Sequence, residues 1–72
     1  MSKFTLSDYT VKGALQDIIR YGDVLLSSDW LLKDHGEYVE AIVNAETKEK
    51  GHVTFNLYFD ENNRLIRWEQ HK

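Results

Sequence analysis

A long stretch of the chain, from Trp30 to Gln70, alternates apolar and polar residues in runs that are separated by turn-forming residues. Alternation with a period of two is typical of β-strands, because successive side chains point to opposite faces of a sheet. We therefore expect each run to bury one face and expose the other. The inward positions predicted for the two central runs are Val39, Ala41, Val43, Ala45, Val53, Phe55, Leu57 and Phe59.

Three turn signals divide this stretch into four strands. The first strand is predicted from Trp30 to Asp34, and His35-Gly36 then closes a tight hairpin, because glycine accepts the positive φ that short hairpins require. Thr47-Lys48-Glu49 closes the second hairpin and Asn62-Asn63 the third, since asparagine tolerates left-handed backbone. The pairs predicted from these turns are Leu32–Val39, Trp30–Ala41, Glu46–Lys50, Val43–Val53, Ala41–Phe55, Glu61–Arg64, Phe59–Ile66 and Leu57–Trp68.

The segment before the strands has helical periodicity. Thr5 to Tyr21 is predicted to be a helix, with an approximate capping box formed by Thr5 and Asp8, and Gly22 is placed to end it. We expect Asp23 to Asp29 to be a connection. The apolar stripe that should face the sheet consists of Val11, Leu15, Ile18 and Ile19.

These elements predict a single α+β domain over residues 1–72, in which one N-terminal helix packs on a four-stranded antiparallel meander sheet. The order of elements resembles the cystatin-like arrangement, and the closing FDENNRLIRW resembles the last hairpin of the larger NTF2-like fold. In cystatin protease inhibitors a Gln-x-Val-x-Gly hairpin enters the protease cleft, whereas the equivalent hairpin here reads AETKEKG. The resemblance therefore implies a fold and not protease inhibition.

The composition of the chain argues against several classes of site, location and partner. The chain has no cysteine, which excludes disulfides and thiolate metal sites and is typical of a reducing compartment. No apolar run is long enough for a signal peptide or a membrane span, so we expect a cytoplasmic protein with no membrane partner. Nine basic against twelve acidic residues give a net charge of −3, which argues against nucleic acid as the partner.

The sequence contains no motif of known catalytic chemistry, such as a phosphate loop, a nucleophile elbow or a His-Glu-x-x-His pair. His52, His71 and Glu69 are predicted to share the outward face and could be drawn as a zinc site. His71 is the penultimate residue, however, and strand ends fray. We therefore predict no catalytic residue, no metal and no cofactor, and we assign no role to His35 in its turn.

The outward face of the sheet is the most informative predicted surface, because one helix can cover only the inward face. The inward face is expected to hold Trp30 and Trp68 as core residues. A contiguous set of apolar and aromatic residues on the other face indicates an interface. The predicted protein-binding residues are Leu31, Tyr38, Glu40, Ile42, Tyr58, Leu65 and Arg67.

The sequence therefore favours a non-catalytic interaction module that binds another protein, or its own copy, through the open sheet face. A small intracellular inhibitor or antagonist of a larger protein, of the kind that phages and mobile elements encode, has this composition. The alternative is a small-ligand-binding or enzymatic domain in which homodimerisation joins two half-clefts into one pocket. The sequence does not identify the partner.

Overall fold

The computed structural model of the chain describes residues 6–19 and 22–71. One helix, α1 (Asp8–Ile19), is followed in these residues by β1 (Leu25–Asp34), β2 (Val39–Thr47), β3 (Gly51–Phe59) and β4 (Leu65–His71). The strands form one antiparallel sheet in the order β1-β2-β3-β4. The predicted α+β architecture is therefore confirmed. Within the described residues, no helix has the length and apolar character needed to cross a membrane.

The start of α1 differs from the predicted capping box. Ser7 is the N-cap: its Oγ accepts the Thr10 N–H at 3.2 Å, and its carbonyl accepts the Val11 N–H at 3.1 Å. A short hydroxyl side chain at this position satisfies donors that the first helical turn leaves unpaired. Thr5 and Tyr21, the predicted ends, lie outside the described residues, and Gly22 has the expected positive φ of 84°.

The inward face of the sheet is confirmed. α1 contributes Val11, Leu15 and Ile19 to the same core, so it packs on this face. Burying one apolar face of a sheet against a helix is how a chain of this size obtains a core. The buried apolar residues of the sheet are the eight predicted ones, Val39, Ala41, Val43, Ala45, Val53, Phe55, Leu57 and Phe59.

The connection predicted over Asp23 to Asp29 is wrong, because β1 begins at Leu25. The strand pairs with the whole length of β2, from Leu25 opposite Thr47 to Asp34 opposite Val39, with a bulge between Leu25 and Ser27. Backbone pairing with a buried central strand therefore overrides the low strand propensity of the two serines. Leu25 also packs against the core, which holds this end of β1 in place.

The predicted registers of the first two hairpins are wrong by two residues. Trp30 lies opposite Val43, and Val43 lies opposite Phe55 instead of Val53. In the first turn, residues 35–38, the Asp34 carboxylate accepts the Gly36 N–H at 2.8 Å and the Tyr38 carbonyl accepts the His35 N–H at 2.9 Å. A shift of two preserves the face on which every side chain lies, because the strand period is two. The buried set is therefore right although the pairing is not.

The third hairpin keeps part of its predicted register. Leu57 lies opposite Trp68 as predicted, whereas Phe59 lies opposite Leu65 and not Ile66, because a bulge intervenes next to Tyr58. A bulge inserts one residue and changes the face of the side chains beyond it. Leu65 consequently packs against the core, and Ile66 is on the outward face of the sheet.

The two tryptophans do not have the predicted burial. Trp30 is half-buried against the core, and its indole N–H donates to the Asp8 carboxylate at 3.0 Å. Trp68 is on the inward side of β4 but remains 44% exposed, so its assignment to the core is wrong. Its ring centroid lies 6.3 Å from that of Phe55, which is fully buried. The last strand therefore extends past the part of the sheet that α1 covers.

Candidate functional site

The outward face of the sheet brings together most of the predicted binding residues. Cross-strand pairing places Glu40 of β2 opposite Tyr58 of β3, and Tyr58 opposite Arg67 of β4. Tyr38 precedes β2 at the same end of the sheet. The site is therefore built on three neighbouring strands, whose spacing is set by backbone hydrogen bonds and not by loop conformation.

Glu40 is the centre of a polar network on this face. It is only 9% exposed, and one of its carboxylate oxygens is 2.9 Å from Nε2 of His35. The Asn56 side-chain amide donates to the other oxygen. A buried carboxylate is costly unless each oxygen has a partner, and here both have one. We call His35, Glu40 and Asn56 the Glu40 network.

The charge of Glu40 is stabilised by these contacts. The hydrogen bond with His35 lowers the pKa of the Glu40 carboxyl below its ordinary value, burial opposes this shift, and the Asn56 amide adds to it. The hydrogen bonds to the charged form outweigh the cost of removing it from water. Glu40 is therefore an ionised anchor at neutral pH, and it fixes the turn that carries His35 to the sheet.

A cleft lies beside this network and is lined by Tyr38, Tyr58, Ile66 and Arg67, with a volume of about 350 Å³. The two tyrosine rings are tilted at 58°, with their centroids 5.9 Å apart. The Arg67 guanidinium lies over the Tyr58 ring, 4.5 Å from its centroid, a distance typical of a cation–π contact. We call these four residues the outer-face cleft.

The walls of the outer-face cleft are held by contacts on both sides. The His35 ring stacks on Tyr38 with centroids 4.6 Å apart, so the Glu40 network supports this tyrosine. On the other side, the Tyr58 hydroxyl donates to Glu69 at 3.3 Å. Aromatic side chains fixed in this way lose little conformational entropy when they contact a partner.

Four predicted binding residues do not line the cleft, and one of them, Glu40, belongs to the network beside it. Leu31 of β1 is 72% exposed and is opposite Ile42, which is half-buried, so these two extend the apolar surface toward the β1 edge. Leu65 does not belong to this face. Its predicted outward position is wrong because the bulge beside Tyr58 turns it to the core and exposes Ile66 in its place.

Sequence reasoning missed three residues of the site. The sequence indicates no role for His35, whereas the loop of residues 35–38 brings it to Glu40. Asn56 is an outward position of β3 that the predicted register places opposite Glu40, which is the available signal; in the structure it lies opposite Ile42, one pair away. Nothing in the sequence indicates that Ile66 is on the outward face, because the bulge that exposes it depends on the turn at Asp60. There the Asp60 carboxylate accepts the N–H groups of Asn62 and Arg64.

Two histidines, His52 of β3 and His71 of β4, lie outside the Glu40 network. His71 pairs with Thr54, and His52 pairs with Glu46 on the other side of β3. Over residues 6–19 and 22–71, no group of three or more His, Cys, Asp and Glu side chains is arranged to hold a metal ion.

Neither a protein-family model, nor a curated protein, nor a solved structure matches the chain, so its function has to follow from its own side chains.

Proposed function

We propose that this chain is a non-catalytic protein-binding module, which contacts its partner through the outer-face cleft and the adjoining apolar surface. The observation that carries the proposal is the grouping of Tyr38, Tyr58 and Arg67 on the sheet face opposite α1. Tyrosine and arginine are the residue types enriched at interface hot spots, where a few side chains supply most of the binding energy.

The chemistry of the cleft suits a protein surface that inserts an apolar or aromatic side chain next to a hydrogen-bond acceptor. Tyr38 and Ile66 offer apolar wall area, and the Arg67 side chain is 65% exposed. The guanidinium has five N–H donors in a planar fork that matches a carboxylate. A partner that places a carboxylate over Arg67 and an apolar side chain against Tyr38 would contact both the charged and the apolar part of the cleft.

The Glu40 network supports the proposal because it pre-organises the site. Tyr38 is stacked on His35, whose ring is bonded to the buried Glu40 carboxylate. Binding energy is lost when a surface must be ordered on contact, and a surface ordered in advance avoids that loss. A small cysteine-free chain that acts in a reducing, cytoplasmic compartment as an inhibitor or antagonist of a larger protein would use such a surface.

Binding of a small ligand is the second candidate, and the volume of the cleft favours it. About 350 Å³ falls at the low end of the range typical of small-molecule sites. Such sites usually enclose most of the ligand, whereas this cleft is on an open sheet face. A second copy of the chain would have to complete the enclosure.

The test uses capture from a native lysate with tagged protein, followed by affinity measurement with the purified partner. Tyr38→Ala should weaken that affinity by about 30-fold or more, the size of a hot-spot loss. Tyr9→Ala is the matched control, because Tyr9 is 88% exposed on α1, an element that packs on the opposite face. The control should bind with wild-type affinity, and both variants should keep a native-like circular dichroism spectrum.

Two results would contradict the proposal. One is a partner that binds Tyr38→Ala and wild-type protein equally well, which would place the contact elsewhere. The other is a small molecule retained by the purified wild-type protein in native mass spectrometry, displaced by Tyr38→Ala and accompanied by no protein partner. That second result would establish the ligand-binding function.

A further inference from the structure

β4 (Leu65–His71) is an edge strand with an unusual exposed side chain at its centre. Within the described residues β4 pairs with β3 alone, so its other side presents backbone donors and acceptors. Trp68 lies in the middle of the strand on the inward face and is 44% exposed beside the buried Phe55. A large aromatic side chain at an open edge gains much burial if another strand is added there.

Two side chains of opposite charge flank Trp68 on the outward face of β4. Arg67 precedes it and Glu69 follows it, and both side chains are at least half exposed. Their charged groups are 3.9 Å apart within one chain, a distance at which an exposed ion pair contributes little to stability. An acidic and a basic residue on either side of a central position make the strand complementary to an antiparallel copy of itself.

The other edge of the sheet is less available. In β1, the Trp30 N–H donates to the Asp29 carboxylate at 3.0 Å. A bulge between Leu25 and Ser27 interrupts the same strand. Carboxylates and bulges on an edge are features that oppose the addition of another strand.

We propose that two copies of the chain associate through antiparallel pairing of their β4 strands, about a two-fold axis at Trp68. In this register the two Trp68 side chains lie opposite each other on the inward face. On the outward face, Arg67 of each copy lies opposite Glu69 of the other. A two-fold axis at Arg67 or at Glu69 would instead place identical charges opposite each other, which is unfavourable, so the charges select the axis.

The dimer joins the two four-stranded sheets into one continuous sheet of eight strands. The two outer-face clefts then lie on the same surface, on either side of the axis, because both contain Arg67. The second copy contributes a carboxylate to the guanidinium that lies over Tyr58. Since arginine has several donors, this pair leaves N–H groups for a ligand of the cleft.

The test exchanges the charges and measures solution mass across a range of concentrations. Wild-type protein should be a dimer, and R67E and E69R should each raise the dimer dissociation constant by about tenfold or more, because each places like charges opposite each other twice. An equimolar mixture of the two variants should restore association, since one chain is then acidic at both positions and the other basic. The doubly exchanged R67E/E69R chain should dimerise with wild-type affinity.

Restoration by mixing separates contacts between chains from contacts within a chain, because neither variant regains its own ion pair. A monomeric wild type, single variants that dimerise like wild type, or a mixture that stays monomeric would each overturn the proposal. Tyr38→Ala should remain dimeric because Tyr38 is not on β4. Loss of the partner and loss of the dimer are thus separate results.

Discussion

Phe55→Ala is expected to lower the free energy of unfolding by about 3–5 kcal/mol. Phe55 is fully buried near the centre of β3, opposite Val43. Removing its ring leaves a cavity between the sheet and α1 that the neighbouring backbone cannot fill. Folded domains are stable by only about 5–15 kcal/mol, and a chain of 72 residues buries a thin core. The variant should therefore be largely unfolded, as urea denaturation followed by circular dichroism would measure.

The stability of Trp68→Ala, compared with that of Phe55→Ala, tests how much of the Trp68 side chain is buried. Trp68 is the larger side chain, but it is 44% exposed at the sheet edge. We expect its loss to cost about 1–2 kcal/mol, since only the buried part of the ring contributes transfer free energy. The comparison is made at a protein concentration where the chain is monomeric, so that association does not add to stability. An equal or larger cost for Trp68→Ala than for Phe55→Ala would contradict the position of α1.

Glu40→Ala is expected to lower the free energy of unfolding by about 1–3 kcal/mol, because His35 and Asn56 lose their hydrogen-bond partner in a half-enclosed site. The same variant should release the turn of residues 35–38. Hydrogen exchange at the His35 N–H, which is bonded to the Tyr38 carbonyl, would report that release. Protection unchanged from wild type would show that the turn does not depend on Glu40.

The contribution of Glu40 should also depend on pH. Its pKa is lower in the folded chain than the ordinary value of 4.5, so the unfolded chain binds more protons between the two values. The stabilisation is therefore fully present above about pH 4.5 and is lost as the pH falls through the folded value. The groups that act on this carboxylate are His35, Asn56 and Lys33.

The measurement compares urea midpoints of wild type and Glu40→Gln from neutral pH to acid. The stability advantage of wild type should shrink below about pH 4.5, because glutamine has no charge to lose. Asp17→Asn is a suitable control, since it neutralises a carboxylate that is exposed on α1. A difference that stays constant into acid would contradict a charge-stabilising network at Glu40.

The pairing of the strands illustrates which structural information is local. The predicted registers of the first two hairpins differ from the observed ones by two residues, because the turns form at other positions, where Asp34 bonds with Gly36 and Thr47 with Lys50. Such bonds span only two or three residues, but the alternation of the strands does not indicate where each turn forms. In the third hairpin, the Asp60 carboxylate accepts two backbone N–H groups and shapes the loop before the bulge.

The candidate site was predictable as a face but not as a set of contacts. Tyr38, Tyr58 and Arg67 follow from their outward parity, and the structure brings them together. The burial of Glu40 does not follow from parity, because it depends on a turn histidine that folds back over the sheet. The register of β2 against β3 places Asn56 one pair away from that carboxylate.

The sequence by itself determined the α+β class, the antiparallel order of the strands and the buried face, from Val39 to Phe59. Its period of two is a local property of the backbone, and it survives any even displacement of the register. Only the tertiary structure decided the pairing itself, the exchange of Leu65 and Ile66 between faces, and the exposure of Trp68. These features depend on how each turn closes and on where α1 packs, and the alternation of residues along a strand specifies neither.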